Sequence, residues 1–580
     1  MSDVTCADRF ARVARTAADT IAVRHDAASL TYRALAGQAG ALARRLRERG
    51  VRHGDVVATV LDRSPLAVIA MLGSWAVGAA YAHIDADEPD SRIAEALSVT
   101  EARVVLTDRG NARRVPGSLV LDKLPAAPYE PVAGRSSSDV AYLAFTSGST
   151  GTRQAVLVEH GSVRNYVTAL GERIGSMPDT YASTTTFAAD LGNTSVFGAL
   201  LTGGTLDIID AETVLDPTAF AARLRRYPAG LVKCTPSQLE TLLNADEPTL
   251  PTEVLIVGGE AFPPYLARTV LAARPDLAVF NHYGPTETTI GVLMHRVTEA
   301  DLDRATVPIG RPLAGVDIAV LDESGLPVAA GESGELHIGG RATARGYAGG
   351  DEFTSMRFAE GIDGRHYASG DLVRHNEQGD IEFLGRLDRQ LKVGGLRIEP
   401  AEVENVLLAQ RGIRQAVVTG EPADTDRPTE LVAYLVGLVE CTGLLRRLRR
   451  ALPASHVPSR IHHVARIPVT RNGKTNFTAL RKLAARKPAA AARRPDTGTE
   501  RLVADVWCEV LRHVEIDVRV RFDDLGGDQA KARTVLGKLR GHFPTLTIAQ
   551  LSAHPTVAEL AAALDRDDVA EPGSTSVVRL

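Results

Sequence analysis

Apolar residues recur three and four positions apart through Tyr32–Arg49 and again through Phe220–Arg226, and each run predicts an amphipathic helix. Between such runs stand short stretches dense in β-branched residues. Val56–Leu61, Arg103–Leu106, Val140–Phe145, Thr205–Ile209 and Val254–Val257 predict strands. The two kinds of segment alternate over about the first 380 residues, the pattern of a layered α/β fold with largely parallel sheets. After about residue 310 glycines punctuate the strand-type runs, as in VDIAVLDESGLPV and GELHIGG, which predicts a hairpin-rich subdomain. A small α+β unit is expected to follow, to about residue 482. Residues 487–500, rich in Ala, Pro and Arg, read as a linker, and 501–566 predict a compact helical domain. The tail 567–580 is expected to be disordered.

One apolar stretch changes the picture only after inspection. SPLAVIAMLGSWAVGAAYA, residues 64–82, carries no charge and is nearly long enough to cross a bilayer. Pro65, Gly73, Ser74 and Gly78 dilute its apolarity, and Asp62, Arg63 and Asp85 crowd its ends. A buried helix running into a strand is the expectation. The chain has 580 residues, 44% hydrophobic and 24% charged, which fits a globular protein of several domains. A net charge of −5 points to neither nucleic acid nor a membrane surface as partner. Cys6, Cys234, Cys441 and Cys508 are far apart, so zinc sites and disulfide frameworks are not expected. The first residues hold no apolar signal core, and a cytoplasmic setting is the expectation.

Chemistry concentrates in a few segments. In VAYLAFTSGSTGTRQAV (140–156) an apolar strand runs into Thr146, Ser147, Gly148, Ser149, Thr150 and Gly151. Glycines admit close backbone approach, and hydroxyls with free N–H groups can wrap an anion. No Gly-Lys-Ser/Thr follows, so this is not the Walker phosphate loop. NHYGPTETT (281–289) joins an aromatic ring, a Gly-Pro turn and the Glu287 carboxylate, a donor suited to Mg²⁺. YASGDLVR (367–374) places Asp371 on a turn, and GRLDRQLKVGGLRIEPAEVE (385–404) brings Arg386, Asp388 and Lys392 together. IPVTRNGKTN (467–476) presents Lys474 on an Asn-Gly turn.

Taken in this order, the segments resemble the core motifs of the adenylate-forming superfamily, in particular adenylation domains of nonribosomal peptide synthetases. LTYRAL from residue 30, GSWAVGAAYAHID from 73 and GELHIGGRATARGY from 334 agree. The resemblance covers about residues 8–482. It implies a large N-terminal domain (1–387) of two α/β subdomains and a small β-barrel-like subdomain. A mobile α+β C-terminal subdomain (388–486), hinged at Asp388, would follow. It also implies ATP and Mg²⁺ as cofactors. Residues 146–151 would cradle phosphates, with Gly259, Glu260, Asn281, Gly284 and Thr286 also at the nucleotide. Tyr283 would pack on adenine, Asp371 and Arg386 would hold the ribose, and Glu287 would bind Mg²⁺. Lys474 would bridge the substrate carboxylate and the α-phosphate, and with Glu287 would be catalytic.

The same resemblance locates the substrate pocket. Asp190 falls where the family binds the substrate ammonium. Leu191, Thr194, Lys233, Ile256, Gly258, His282, Ile290 and Gly291 fall on lining positions. This series is similar to that of aspartate-activating domains. A buried lysine needs a partner, so Lys233 beside His282 invites an anionic side chain. L-aspartate or a β-substituted aspartate is the expected substrate.

Three departures from the family pattern stand out. The phosphate loop continues Arg153-Gln154-Ala155 where the family has Pro-Lys-Gly, although Arg153 could supply charge nearby. Lys392-Val393-Gly394-Gly395 replaces Lys-Ile-Arg-Gly. Residues 501–566 resemble a peptidyl carrier domain, but Gln529 stands in LGGDQ where the family has the phosphopantetheine serine, so no phosphopantetheine is expected on this chain. Transfer to a separate carrier protein or a small-molecule acceptor is therefore expected, with an MbtH-like protein as a possible partner. Two alternatives are an acyl-CoA or aryl-CoA ligase of the same superfamily and a degenerate scaffold that binds a partner synthetase. Asp190 with Lys233 speaks against the first, and intact Glu287, Asp371, Arg386 and Lys474 against the second.

Overall fold

The alternating segments fold as two sheets with helices between and around them. The computed structural model describes residues 4–569 except 123, 148–152, 246, 305, 350–353, 356, 362–363, 388–389, 411–412, 423–428, 438–443, 465–466, 469–474, 476, 485–494, 512–515, 517, 524, 526 and 528. The first sheet has nine strands. Its parallel middle runs, in spatial order, Ala278–Tyr283, Val254–Gly258, Leu231–Cys234, Thr180–Ser183, Thr205–Ile208 and Ile21–His25. Antiparallel strands close both edges. The second sheet has seven strands, parallel through Val140–Ser147, Ala80–Asp85, Val56–Leu61, Val104–Thr107 and Leu119–Val120. The sequence-predicted strands therefore exist, with ends shifted by a residue or two, as hydrogen bonding extends a strand past its apolar run.

Side-chain alternation explains the layers. Leu231, Ile256 and Phe280 enter a core shared with Val57, Tyr81, Tyr142 and Val156 of the second sheet. Their neighbours Val232, Leu255, Val257 and Val279 face the other way, under helices Pro217–Arg226, Pro236–Leu243 and Pro264–Ala273. The uncharged stretch 64–82 is the helix Pro65–Ala76 leading into the strand Ala80–Asp85, buried almost throughout. No helix among the described residues is long and apolar enough to cross a membrane.

The hairpin-rich region is an antiparallel sheet of five strands, Val316–Leu321, Ser333–Gly340, Phe358–Gly361, Gly364–His375 and Ile381–Arg386. The chain divides into two compact units, Met1–Glu402 with Thr419–Glu430, and Val403–Val418 with Leu431–Leu580. The expected boundary at 387/388 lies inside the first unit, because the hairpin Leu391–Val393/Leu396–Ile398 belongs to it. Asp388 itself lies outside the described residues, as do most of the 487–500 linker and the end of the 567–580 tail. In the second unit Val432–Leu435 pairs in parallel with Arg460–His463. Helices Gly498–Leu511, Gln529–Leu539, Ile548–Ala553 and Val557–Val569 enclose a separate core centred on Trp507, whose ring meets Phe522 edge-on at 4.7 Å.

Candidate functional site

Three neighbouring parallel strands deliver one group of side chains. Lys233 is paired in register with Ile256, and Gly258 with His282. Positions two apart share a face, so Lys233, Ile256, Gly258 and His282 gather at the C-terminal ends of these strands. That end of a parallel sheet is where α/β proteins place ligands. Asp190 opens the single-turn helix Asp190–Gly192, and Thr194 follows in the helix Asn193–Thr202.

The geometry within this group is tight. The buried Lys233 ammonium donates to Thr194 Oγ1 at 2.9 Å, and the backbone carbonyl of Lys233 accepts from Thr184 Oγ1 at 2.7 Å. Asp190 Oδ2 is buried and has no hydrogen-bond partner, and neither has His282 Nε2. No ion pair involves Asp190 or Lys233 among the described residues. Burial raises the Asp190 carboxyl above its ordinary value, against the pull of Lys233 and hydrogen bonds from Thr286 and the Ile290 N–H. Burial likewise lowers Lys233, which Asp190 partly offsets. His282 is held far below its ordinary value by burial and by the charge of Lys233, so its ring is neutral.

The glycines have a steric reason. A Cβ on Gly291 would lie 2.0 Å from the His282 ring, and one on Gly258 would lie 2.3 Å from the His282 carbonyl oxygen. Thr289 and Ile290 adopt positive φ, 61° and 68°, unfavourable for β-branched residues. Such strain persists where surrounding structure enforces it, and Thr289 is tied by its hydroxyl to the Ala342 carbonyl at 2.7 Å. Leu191 packs where a Cβ on Gly259 would meet it at 2.8 Å.

A second group sits on the same unit. The Tyr283 hydroxyl donates to Asp371, and Arg386 meets the other Asp371 oxygen at 2.6 Å and the Ser369 carbonyl at 2.9 Å. Lys392 stands 4.9 Å above the Tyr283 ring. Glu287, fully buried, accepts from Arg397 at 2.6 Å and from the Tyr347 hydroxyl at 2.7 Å, both on Oε1. Burial would raise its carboxyl, but Arg397 and these hydrogen bonds bring it below the ordinary value. Glu287 Oε2 has no hydrogen-bond partner, so one oxygen is left that suits a cation.

Several expected nucleotide residues are engaged by the protein itself. Asn281 donates to the Val307 and Pro308 carbonyls at 3.0 and 2.9 Å. Glu260 accepts from the Ser237 hydroxyl at 2.7 Å and from the Gly395 N–H at 3.0 Å. Gly284 lies against Gly291, where a Cβ would come within 2.3 Å. Thr286 begins a single-turn helix, Thr286–Thr288, beside Glu287. Thr146 is buried at the end of its strand, opposite Gln154, and Ser147 is opposite Arg153. Gly148, Ser149, Thr150, Gly151 and Lys474 lie outside the described residues. Arg153 does not stand free for an anion: it grips Glu88 with both terminal guanidinium nitrogens, at 2.5 and 2.9 Å. Sequence reasoning missed Arg397, Tyr347 and Tyr166. Arg397 and Tyr347 carried a signal, since GLRIEP and GELHIGGRATARGY lie inside segments already singled out.

Comparison with known proteins adds the following. Residues 10–348 match the AMP-binding enzyme family, 402–474 match the AMP-binding enzyme C-terminal domain, and 501–564 match the phosphopantetheine attachment site family. Surfactin synthase subunit 2 of Bacillus subtilis (strain 168) is 34% identical over 98% of this chain and 16% of its own length. Tyrocidine synthase 3 of Brevibacillus parabrevis is 32% identical over 94% of this chain and 9% of its own. The chain thus spans a small part of these relatives. Holo-PA1221, a solved nonribosomal peptide synthetase protein with adenylation and peptidyl carrier domains bound to a vinylsulfonamide inhibitor, superposes with a TM-score of 0.83. It is 26% identical, over 97% of this chain and 96% of that one. One expectation is overturned. The absence of phosphopantetheine was inferred from Gln529, at the first residue of the helix Gln529–Leu539, but residues 501–564 match the attachment-site family as a whole. A carrier domain is present on this chain, and a single residue was too narrow a basis for excluding the group.

Proposed function

We propose that this chain, which belongs to the family of AMP-binding enzymes and is an AMP-forming ligase, activates L-aspartate or a β-substituted aspartate as its aminoacyl adenylate. One observation carries the choice of substrate. Lys233 is buried, Asp190, close enough to feel the lysine's charge, presents a buried Oδ2 without a hydrogen-bond partner, and neither residue forms an ion pair among the described residues. Buried charges are costly unless compensated. An amino acid with a second carboxylate supplies both partners, its ammonium to Asp190 and a carboxylate to Lys233. A neutral side chain would leave the lysine unmatched.

In this reading an oxygen of the remaining carboxylate attacks the α-phosphorus of ATP. The bond from that phosphorus to the bridging oxygen breaks, and pyrophosphate leaves with the electron pair. Both reactants are anionic, so the protein contributes position and positive charge rather than a nucleophile. The loop 146–151 wraps the phosphates, Tyr283 packs on adenine, and Asp371 with Arg386 holds the ribose. Lys474 bridges the two reacting anions. Mg²⁺ would be held by Glu287 through Oε2 and would neutralise phosphate charge. Gly259, Glu260, Asn281, Gly284 and Thr286 shape the surrounding wall. The acyl group then passes to a thiol or other nucleophile, with AMP leaving. The carrier domain in cis is joined here by acceptors in trans, a separate carrier protein or a small molecule.

ATP–pyrophosphate exchange across the proteinogenic amino acids with β-methyl- and β-hydroxyaspartate, with and without an MbtH-like protein, tests the reading. The expected result is strongest exchange with an aspartate-type substrate. Strongest exchange with a neutral or aromatic amino acid would contradict it.

A further inference from the structure

Tyr166 lies on the helix His160–Ile174, away from the strands that carry the pocket residues. Its buried hydroxyl is 2.6 Å from Thr194 Oγ1, the same atom that accepts from Lys233 Nζ at 2.9 Å. Its ring also lies against His282, with centroids 5.8 Å apart and planes tilted by 44°. One tyrosine thus touches two residues of the pocket and reaches a third through Thr194. We propose that Tyr166 is a specificity-determining residue of this site, fixing the Lys233 ammonium through Thr194 so that it meets a short acidic side chain. The inference rests on the reading of the Asp190–Lys233 pocket given above.

Hydrogen-bond inventory supports it. An ammonium has three hydrogens and no acceptor, and a hydroxyl has one hydrogen and two lone pairs. Thr194 gives one lone pair to Lys233. Tyr166 either donates to the other lone pair or accepts the Thr194 hydrogen. In both arrangements one hydroxyl hydrogen of the pair is left over, beside two ammonium hydrogens. Burial pushes the Tyr166 phenol above its ordinary value, so it keeps its proton. The trio therefore offers a guest three donor hydrogens, two of them on a cation, beside the lone pairs left on the hydroxyls. A carboxylate complements these donors, whereas an amide nitrogen sets hydrogens against hydrogens. Without the tyrosine oxygen, Thr194 is free to turn, and the long lysine side chain regains rotamers.

The test compares wild type with Tyr166→Phe, which removes one oxygen and keeps the ring on His282. Exchange kinetics are measured with L-aspartate, L-asparagine and L-glutamate, alongside the KM for ATP and the thermal midpoint. The kcat/KM ratio of aspartate over asparagine is expected to fall by up to about tenfold, the size of one neutral hydrogen bond. The rise should sit in the aspartate KM, with the ATP KM and midpoint unchanged. Thr194→Val should show the same loss, and adding Tyr166→Phe to it should change nothing more. Thr194→Ser, which keeps the hydroxyl, should retain the wild-type ratio. An unchanged ratio in Tyr166→Phe, or an equal loss with all three amino acids, overturns the proposal. A wild-type enzyme without acidic preference would instead overturn the pocket reading beneath it.

Discussion

The pocket around Asp190 and Lys233 and the cluster around Asp371 and Glu287 both set carboxylates near cationic side chains, but they treat charge differently. In the cluster each carboxylate already has a guanidinium: Asp371 has Arg386 at 2.6 Å and Glu287 has Arg397 at 2.6 Å. In the pocket Asp190 and Lys233 form no ion pair among the described residues, though each feels the other's charge, and burial shifts each toward its neutral form. The paired charges are satisfied by the fold. The others are a template whose complement is a molecule carrying both opposite charges. The difference is one of compensation: Asp371 and Glu287 carry a counter-charge from the fold beside the ligand roles proposed for them, whereas Asp190 and Lys233 form no ion pair of their own among the described residues.

The largest expected effect breaks the template at its acid. Asp190→Asn should lower kcat/KM for the amino acid by roughly 100-fold or more, the loss of a buried charge pair to substrate. Amino-acid-dependent pyrophosphate exchange measures it, and a loss below tenfold would mean that the ammonium is held elsewhere. Next comes the stability contrast. Asp371→Asn removes the counter-charge of Arg386 and should reduce stability by roughly 3 kcal/mol, read by denaturant unfolding without ligands. Asp190→Asn should leave that stability unchanged or raised. The sign follows from its raised folded-state value. Charged Asp190 disfavours folding once pH rises above its ordinary value of 3.8, so removing the charge at neutral pH removes a penalty. Equal destabilisation by both variants would erase the distinction between the two regions.

A smaller effect appears in pH dependence. Binding needs Asp190 ionised and Lys233 protonated. Burial raises the first and lowers the second, so both limbs of the kcat/KM profile should lie inside the interval from 3.8 to 10.5 set by the ordinary values. Activity is lost on the acid side as Asp190 takes up a proton and on the alkaline side as Lys233 releases one. Because the groups interact, the limbs belong to the pair rather than to either residue.

Much of this was legible in the sequence. The apolar run Val254–Val257 predicted the strand that carries Ile256, whereas Lys233, Gly258, His282 and Asp190 were assigned by the motif series alone. The helix Pro65–Ala76 was recognisable from its glycines and flanking charges. Other features were not legible because they are contacts between segments far apart in the chain. Tyr166 meets Thr194 across 28 positions, Arg397 meets Glu287 across 110, and Arg153 meets Glu88 across 65. A tyrosine in a helix or an arginine after a loop has no periodicity that names its partner. The carrier domain teaches the converse: its pattern over 501–564 was read correctly as carrier-like, yet Gln529 was given more weight than the pattern around it.

The central claim is that Lys233 reads a carboxylate on the substrate side chain. The most direct measurement is kcat/KM for L-aspartate and L-asparagine on wild type and on Lys233→Met, by pyrophosphate exchange at one pH. The account predicts that the wild-type preference for aspartate collapses by roughly 10- to 100-fold in the variant, the range of a hydrogen bond to a charged group, with asparagine affected less than aspartate. A variant that keeps the wild-type preference would contradict the account and place the acidic side chain, or the substrate itself, elsewhere.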